Sequence, residues 1–297
     1  MASVIVALNP HDNDLRRIFA ACDAQQGIAA PYEVLVIDNG ARAGVAAACR
    51  EHAAAHPGTA VVHVACDRRG RAAANNAGIR RARAGHLVFV ADDFIPAPTL
   101  LRAHLDFQQQ LAAPAAGIGP AYFTPACARD PFRRWLEDSG RLFGVPFRTA
   151  SVQWPGQFFY VGNVSLPRSA FDRVGGFDER FEDDLQDDLE FGLRLAAAGI
   201  RTHLLPAAVA WHDHDLTLDE RLEAMRRAGR AARRMEARAA GARPWAPIVD
   251  QPVAPLAALA AVDRATDPSA QARAEYFRAR VDLAFIEGYR AGDPAPP

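Results

Sequence analysis

The sequence predicts an α/β fold with a mostly parallel, Rossmann-like sheet flanked by helices and a helical extension at its C-terminal end. Three observations carry that expectation. Apolar strand-like segments alternate with helical stretches of roughly 10 to 15 residues from Ser3 to Ala91, the pattern of βαβ units. Between Gly85 and Phe94, the apolar run Leu87 to Ala91 leads directly into Asp92 and Asp93, as in a strand covered on both faces that delivers charge to a sheet edge. Beyond Trp211 strand patterns stop, and Asp219 to Ala240 and Ala270 to Gly288 carry helical spacing instead. The expected division is 1–215 for the sheet domain and 216–297 for the extension.

In chain order, Ser3 to Leu8 is a first strand. A helix follows over Asp12 to Gln26, with Asp12 or Asn13 as cap and Gly27 as stop. Glu33 to Ile37 is a second strand ending in the turn Asp38-Asn39-Gly40, and a helix over Ala43 to His52 returns to the strand Ala60 to Ala65. The helix Arg71 to Ala84 precedes the fourth strand, which Pro96 and Pro98 bring to an end. After Asp93 come a helix over Ala97 to Leu111 and a Pro-, Gly- and aromatic-rich stretch, Gly117 to Gly156, that has no period and reads as a substrate-shaping insert. Phe158 to Leu166 reads as a strand, Arg168 to Val174 and Asp187 to Ala198 as helices, and Ile200 to Leu205 and Ala208 to Trp211 as short strands. Prolines 244, 247, 252 and 255 mark an irregular crossing before the last helix, and no internal repeat is present.

Composition removes several function classes. The 34 basic residues are all arginine, so a P-loop lysine, a Schiff-base lysine and a protein-kinase lysine are excluded. The formal net charge of -1 gives no global case for nucleic acid. Cys22, Cys49, Cys66 and Cys127 form no C-x-x-C pair, which fits a reduced compartment without a structural zinc site. Neither a signal peptide nor a membrane-length apolar run is visible, so a cytoplasmic location is expected. No G-x-G-x-x-G follows the first strand, which disfavours a dinucleotide site.

Four clusters can carry chemistry. Asp38 and the pair Asp92-Asp93 end different strands, and in a doubly wound sheet such ends share one crevice where ligands bind. Taken separately, Asp38-Asn39-Gly40 reads equally as an Asx turn, and Asp92-Asp93 as a solvated strand exit. In Tyr160 to Arg168, Asn163 and Ser165 alternate onto one face of a strand. Acids crowd Glu182-Asp-Asp-Leu-Gln-Asp-Asp-Leu-Glu190, beyond what a helix start needs for capping; such crowding raises carboxylate pKa values and suits a general base. His212 and His214 project to one side with a spacing open to metal ligation or to an ordinary surface pair.

From Ser3 to His214 these motifs, in this order, resemble the inverting family 2 glycosyltransferases with the GT-A fold. Gly70-Arg-Ala-Ala-Ala-Asn-Asn-Ala-Gly78 resembles the segment ahead of the fourth strand, and Val90-Ala-Asp-Asp-Phe94 the D-x-D region. Gly162-Asn163 with Ser165 and Arg168 resembles the acceptor-side motif, Gly175-Gly-Phe-Asp-Glu179 the G-G-F-D-E motif, Asp187-Asp188-Leu-Glu190 the E-D-x-E element, and His212 the late histidine. The resemblance implies that Asp38 binds uracil or ribose, that Asp92 holds ribose or sugar, and that Asn76 lies on the donor side. It also implies that Asp93 ligates a Mg²⁺ or Mn²⁺ bridging the donor diphosphate, with His212 completing those contacts. Asp188 is then the base, and Gly162, Asn163, Ser165, Arg168 and Asp187 lie toward the acceptor. A hard cation on carboxylate and phosphate oxygens neutralises a leaving diphosphate, which a lysine-free chain cannot do with a P-loop. The chain departs from the family pattern at Asn9-Pro10, Asn39, Asn75, Ala91 and Gln186.

The expected activity is transfer of a sugar from a nucleoside-diphosphate sugar, UDP-sugar first, to a glycan, lipid-linked or other hydroxyl acceptor in glycan or polysaccharide synthesis. A degenerate, non-catalytic nucleotide-sugar-binding module is the rival. A sugar nucleotidyltransferase is disfavoured by the missing lysine and glycine-rich loop. Between Asp219 and Arg243, eight arginines face four acids, a local excess that reads as a solvated helix face or as peripheral contact with anionic lipid at the cytoplasmic membrane face.

Overall fold

The computed structural model describes residues 1–9, 14–40, 42–143, 153–154, 159–181, 186–236 and 243–292, with 153–154 described by backbone alone. Two compact units are present: Met1–Tyr122, Phe147–Asp183 and Asp187–Asp213 make the first, and Phe123–Pro146, Asp184–Gln186 and His214–Pro297 the second.

The first unit is built on an eight-stranded sheet. Its strands are β1 (Ala2–Ala7), β2 (Tyr32–Asp38), β3 (Ala60–Ala65), β4 (His86–Val90), β6 (Ala115–Ile118), β8 (Gln153–Trp154), β9 (Asn163–Pro167) and β10 (Arg201–Leu204), in the order β3-β2-β1-β4-β9-β6-β10-β8. β3, β2, β1 and β4 run parallel, as do β6 and β10. Val4, Ile5, Val6, Val34, Leu35, Val36, Leu87, Val88 and Phe89 are buried, because a parallel sheet carries its crossover helices on its faces and leaves no strand side wet. Two further short strands, β5 (Phe94–Pro96) and β11 (Ala210–His212), pair antiparallel beside β7 (Ala121–Phe123).

Helix α1 (Leu15–Asp23) starts at Asp14, whose carboxylate accepts from Arg16 N; the expected caps Asp12 and Asn13 lie outside the described residues. Helix α2 spans Val45–Ala55 and α3 spans Arg71–Arg81. On α3, a Cβ at Gly78 would overlap the Ile5 side chain, so glycine lets this helix lie directly on β1. The remaining helices of the first unit are α4 (Leu100–Gln109), α6 (Arg168–Val174) and α7 (Asp187–Ala197).

Several sequence expectations are corrected. The last sheet strand before α6 begins at Asn163 and runs antiparallel between β4 and β6; Phe158 lies outside the described residues. Alternating side chains report the faces of a strand and not its direction, so this insertion was not readable. The stretch expected to be an aperiodic insert holds β7, a 3₁₀ turn at Cys127–Arg129 and helix α5 (Pro131–Asp138). Asp130 caps α5 through Phe132 N and Arg133 N with Pro131 in the first turn, a start signal present in the sequence. The proline-marked crossing contains helices α9 (Ala246–Val249) and α10 (Val253–Ala260).

The second unit has its own core of Phe123, Phe132, Leu136, Leu142, Leu222, Phe277 and Val281. Helix α8 (Leu218–Glu236) packs on α11 (Ala270–Ala291). Gly229 and Gly288 make that crossing possible, since a Cβ on either would strike the opposing backbone at Phe285 and Arg226. On α8, Arg226 pairs with Glu287 at 3.0 Å and Arg233 with Glu236 at 3.0 Å, so part of the arginine excess is neutralised inside the unit. Arg238 lies outside the described residues, and among those described no helix is long and apolar enough to cross a membrane.

Candidate active site

Parallel strands β1, β2 and β4 all end at one sheet edge, and the candidate residues gather there. Asp38, at the end of β2, is buried and accepts from Gly40 N at 3.3 Å and from Arg42 N at 3.0 Å, so its carboxylate shapes the 38–42 turn. His63 Nε2 lies 3.5 Å from it. Beside this turn an open pocket of about 420 Å³ is lined by Leu8, Asp14, Leu15, Arg42 and Val45.

Past the end of β4, Asp92 and Asp93 part company. Asp92 is buried and accepts from Asn9 N at 2.7 Å and Asn9 Nδ2 at 2.5 Å, which ties the end of β1 to the end of β4. The departure at Asn9 therefore has a structural counterpart in Asp92. Asp93 is a quarter exposed, and its Oδ2 lies 3.1 Å from Nε2 of His212 on β11. The β5–β11 pairing places His212 opposite Phe94, and the two rings meet edge-on at 5.3 Å. His214 belongs to the other compact unit.

A carboxylate oxygen and an imidazole nitrogen about 3 Å apart have the separation of neighbouring ligands on an octahedral cation with bonds near 2.1 Å. The same contact is that of a hydrogen bond or ion pair, so Asp93 and His212 are residues that could hold a divalent ion, with no ion needed to explain their separation.

At the start of α7, Asp187 is fully buried and forms a bidentate pair with Arg71 of α3, with Nε to Oδ2 at 3.1 Å. Arg71 Nη2 also lies 3.5 Å from Asp188 Oδ2. Asp188 is 17% exposed, and its Oδ1 accepts from Leu189 N at 2.8 Å. Burial pushes the Asp188 carboxyl up to about 6 from an ordinary 3.8; Arg71 opposes that shift and the charge of Asp187 adds to it. Burial of the Arg71 guanidinium works against its own charge, but Asp187, Asp188 and more weakly Asp93 outweigh it and raise its pKa. A cleft of about 60 Å³ is lined by Asn9, Arg71, Asn75, Ala91 and Gly162, so Arg71 links the α7 acids to the β4 edge. Residues 182–185 of the acidic run lie outside the described residues.

The other expected site residues serve the frame. Asn76 clamps the glycine loop: its Nδ2 donates to Phe177 O at 2.9 Å and its Oδ1 accepts from Phe177 N at 2.8 Å. A Cβ at Gly176 would collide with that amide, so the loop needs glycine there. The Asn76 amide, expected on the donor side, is thereby engaged with the loop, and its Nδ2 also donates to Glu179 Oε1 at 2.8 Å. Arg168 donates to the carbonyls of Ile79 and Ala82 at 3.0 and 2.6 Å, capping α3. Asn163 and Ser165, expected on the acceptor side, are fully buried, and both bind His104 of α4, at 2.8 and 2.9 Å. Their side chains face that helix because the register of β9 against β4 sets Ser165 opposite Val88 and Asn163 opposite Val90. Gly162 remains at the cleft. Arg71 and His104 were not singled out in the sequence. Arg71 is separated from Asp187 by 116 positions, and His104 hides among Leu100, Leu101 and Leu105 on the apolar face of α4.

The sequence model described as "Glycosyltransferase like family 2" matches residues 1–231. Validoxylamine A glucosyltransferase of Streptomyces hygroscopicus subsp. jinggangensis is 31% identical over 157 residues, 43% of this chain and 36% of that enzyme. Chondroitin synthase of Pasteurella multocida is 35% identical over 75 residues, 25% of this chain and 7% of that protein. The match therefore spans little more than a third of the first relative and a small part of the second. Among solved structures, the mannosyltransferase PcManGT from Pyrobaculum calidifontis, in complex with GDP-Man and Mn²⁺, aligns with a TM-score of 0.61 at 23% identity, covering 97% of this chain and 85% of that one. S. aureus TarS 1-349 in complex with UDP aligns with a TM-score of 0.55 at 12% identity, covering 98% and 90%. At these identities the likeness concerns the fold, a mostly parallel sheet flanked by helices. Because the family match spans most of its length, the chain belongs to the family 2-like glycosyltransferases and has their GT-A fold.

Proposed function

We propose that the protein is an inverting, metal-dependent glycosyltransferase that moves a sugar from a nucleoside-diphosphate sugar to a hydroxyl acceptor. One observation carries this reading: Arg71 lies 3.5 Å from Asp188, a carboxylate of raised pKa at a helix start, and lines a cleft with Ala91 at the end of β4, two residues before Asp93, whose carboxylate stands 3.1 Å from His212. The pocket lined by Leu8, Leu15, Arg42 and Val45 suits the nucleoside, and Asp38, which holds Arg42 N at its margin, is the residue assigned to the base or ribose. Asp93 and His212 would hold Mg²⁺ or Mn²⁺, which supplies charge neutralisation of the departing diphosphate.

In the reaction, the acceptor oxygen forms a bond to the anomeric carbon as the bond from that carbon to the diphosphate oxygen breaks on the opposite face. Asp188 takes the acceptor's hydroxyl proton, and one displacement inverts the anomeric centre. Burial tunes this base: with a pKa of about 6 it is mostly ionised at neutral pH, yet more basic than an ordinary aspartate. Asp187, paired with Arg71, positions Asp188 rather than meeting the acceptor.

UDP-sugars are the first donors to test. GDP-mannose is the second, given the ligand of the archaeal mannosyltransferase. Proton NMR of freshly formed product decides the stereochemistry: the opposite anomeric configuration to the donor is expected, and retention overturns the single-displacement mechanism. The degenerate-module reading draws on Asn9-Pro10, Asn39 and Ala91; Asn39 Nδ2 donates to Gly70 O at 2.9 Å and braces the loop. Absence of both transfer and metal-stimulated donor hydrolysis would favour it. Peripheral contact of Asp219–Arg243 with anionic lipid is checked by liposome co-sedimentation at low salt, and absence of binding removes that partner.

A further inference from the structure

A second group of metal-ligating side chains lies away from the candidate active site. Asp23 ends α1, and His52 and His56 stand one turn apart at the end of α2. His52 Nε2 lies 3.1 Å and His56 Nδ1 3.0 Å from the same oxygen, Asp23 Oδ2. The three ligand atoms all fall within 4.8 Å of one another. The two imidazoles are stacked, with centroids 4.3 Å apart, and Phe19 covers the inner face of His52 at 4.5 Å.

A protonated His56 or His52 would pair with Asp23, but such pairing leaves two buried atoms unaccounted for. His52 Nε2 is buried and close to the carboxylate, yet it makes no aligned hydrogen bond, and Asp23 Oδ1 is also buried and without a partner. Two such atoms in one small cluster are costly unless something else binds them. Ligand atoms around a tetrahedral zinc ion with bonds of 2.0 to 2.2 Å lie about 3.3 Å apart, close to both contacts with Asp23. Because the rings are parallel, both lone pairs reach one ion only when the half-exposed His56 ring turns out of the stack.

Two histidines and one carboxylate make a nitrogen-rich donor set. Such a set prefers borderline transition metals to Mg²⁺ or Mn²⁺. Location assigns its role. Helices α1 and α2 follow β1 and β2 and run back along the sheet, so their last turns lie at the edge opposite Asp38 and Asp93.

We propose that Asp23, His52 and His56 form a structural site for a borderline divalent transition metal, with Zn²⁺ as the probe, that fastens α1 to α2 at the sheet edge remote from the candidate active site. The fourth position is filled by water. Binding there contributes to stability because the folded chain assembles ligands that the unfolded chain leaves scattered.

The test uses tag-free, full-length protein carrying Asp93→Ala, which removes the other candidate metal pair. Calorimetric titration with Zn²⁺ should give one site, and Co²⁺ should give the visible absorption of a four- or five-coordinate ion. The same protein with His52→Gln and His56→Gln should lose both signals. If that variant is misfolded by circular dichroism, His56→Gln alone answers the question: its ring is half exposed, and affinity should fall at least about tenfold. In a wild-type background His56→Gln should leave Mn²⁺-supported transfer within about twofold, as expected for a ligand remote from the chemistry. Failure of the Asp93→Ala protein to bind Zn²⁺ tighter than about millimolar, or binding unchanged by the histidine substitutions, overturns the proposal.

Discussion

Asp188→Asn tests the reading of the α7 start from two sides at once. In the folded chain the carboxyl binds its proton more tightly than an ordinary aspartate, about 6 against 3.8, because burial and Asp187 disfavour its charge more than Arg71 favours it. A raised carboxylate is a stability cost that is nearly absent below the unfolded value, grows as pH rises between the two values and is complete above the folded one. Two pKa units correspond to about 3 kcal/mol as an upper bound, with roughly half of it developed at pH 5 and little at pH 4. Asparagine is a near-isostere of the neutral acid and keeps an oxygen to accept from Leu189 N, so it removes the cost while leaving that bond in place. The variant should therefore melt several degrees above the wild type at pH 8, with the gap shrinking toward zero at pH 4. Its transfer rate should fall by a factor of about 10² to 10⁴, the usual worth of a general base. Thermal melts across this pH range and initial-rate assays on the same preparations measure both. A variant less stable than wild type at pH 8, or an offset independent of pH, refutes the burial argument. Retained transfer refutes the base.

Other expectations follow from the buried polar groups around this site. Arg71→Met strands the fully buried Asp187 and should cost about 3 to 5 kcal/mol in urea unfolding, with Arg71→Lys recovering only part because it lacks the bidentate fork; a loss below about 1 kcal/mol contradicts the pairing. His104 is fully buried, and burial pulls its pKa down to about 4 from 6.5 against a bond to Asn163, so it folds as the neutral ring. The unfolded chain takes up its proton first, so stability is full above 6.5 and is lost as pH falls toward 4, by about 3 kcal/mol in all. His104→Gln should flatten that part of the stability profile, and an unchanged slope counts against the assignment.

The strand ends bearing Asp38 and Asp92-Asp93 were legible because an unbroken apolar run followed by acids is local information. The separate fates of Asp92 and Asp93 were not, since they depend on Asn9 from one strand and His212 from another. Similarly, the acids of α7 announced a helix start, but their organiser, Arg71, comes from a distant helix whose sequence reads only as Gly70-Arg71 before an alanine run. Asn163 and Ser165 alternate onto one strand face as expected. Which face that is depends on the pairing register, since a slip of one residue exchanges the two faces, and the register of β9 against β4 turns them inward to His104. On α8 the pairs with Glu223 and Glu236 lie within the counted stretch at helical spacing, whereas the pairing of Arg226 with Glu287 of α11 depended on a contact the count could not contain.

The central claim is that Asp93 and His212 hold a divalent ion against the donor diphosphate. Calorimetric titration of UDP, and then GDP, into wild-type and Asp93→Ala protein, each with and without Mn²⁺, tests it most directly. Saturable binding that requires Mn²⁺ in the wild type and is lost in Asp93→Ala is the predicted result. Equal nucleotide affinity with and without the ion, or affinity untouched by the substitution, would contradict the account.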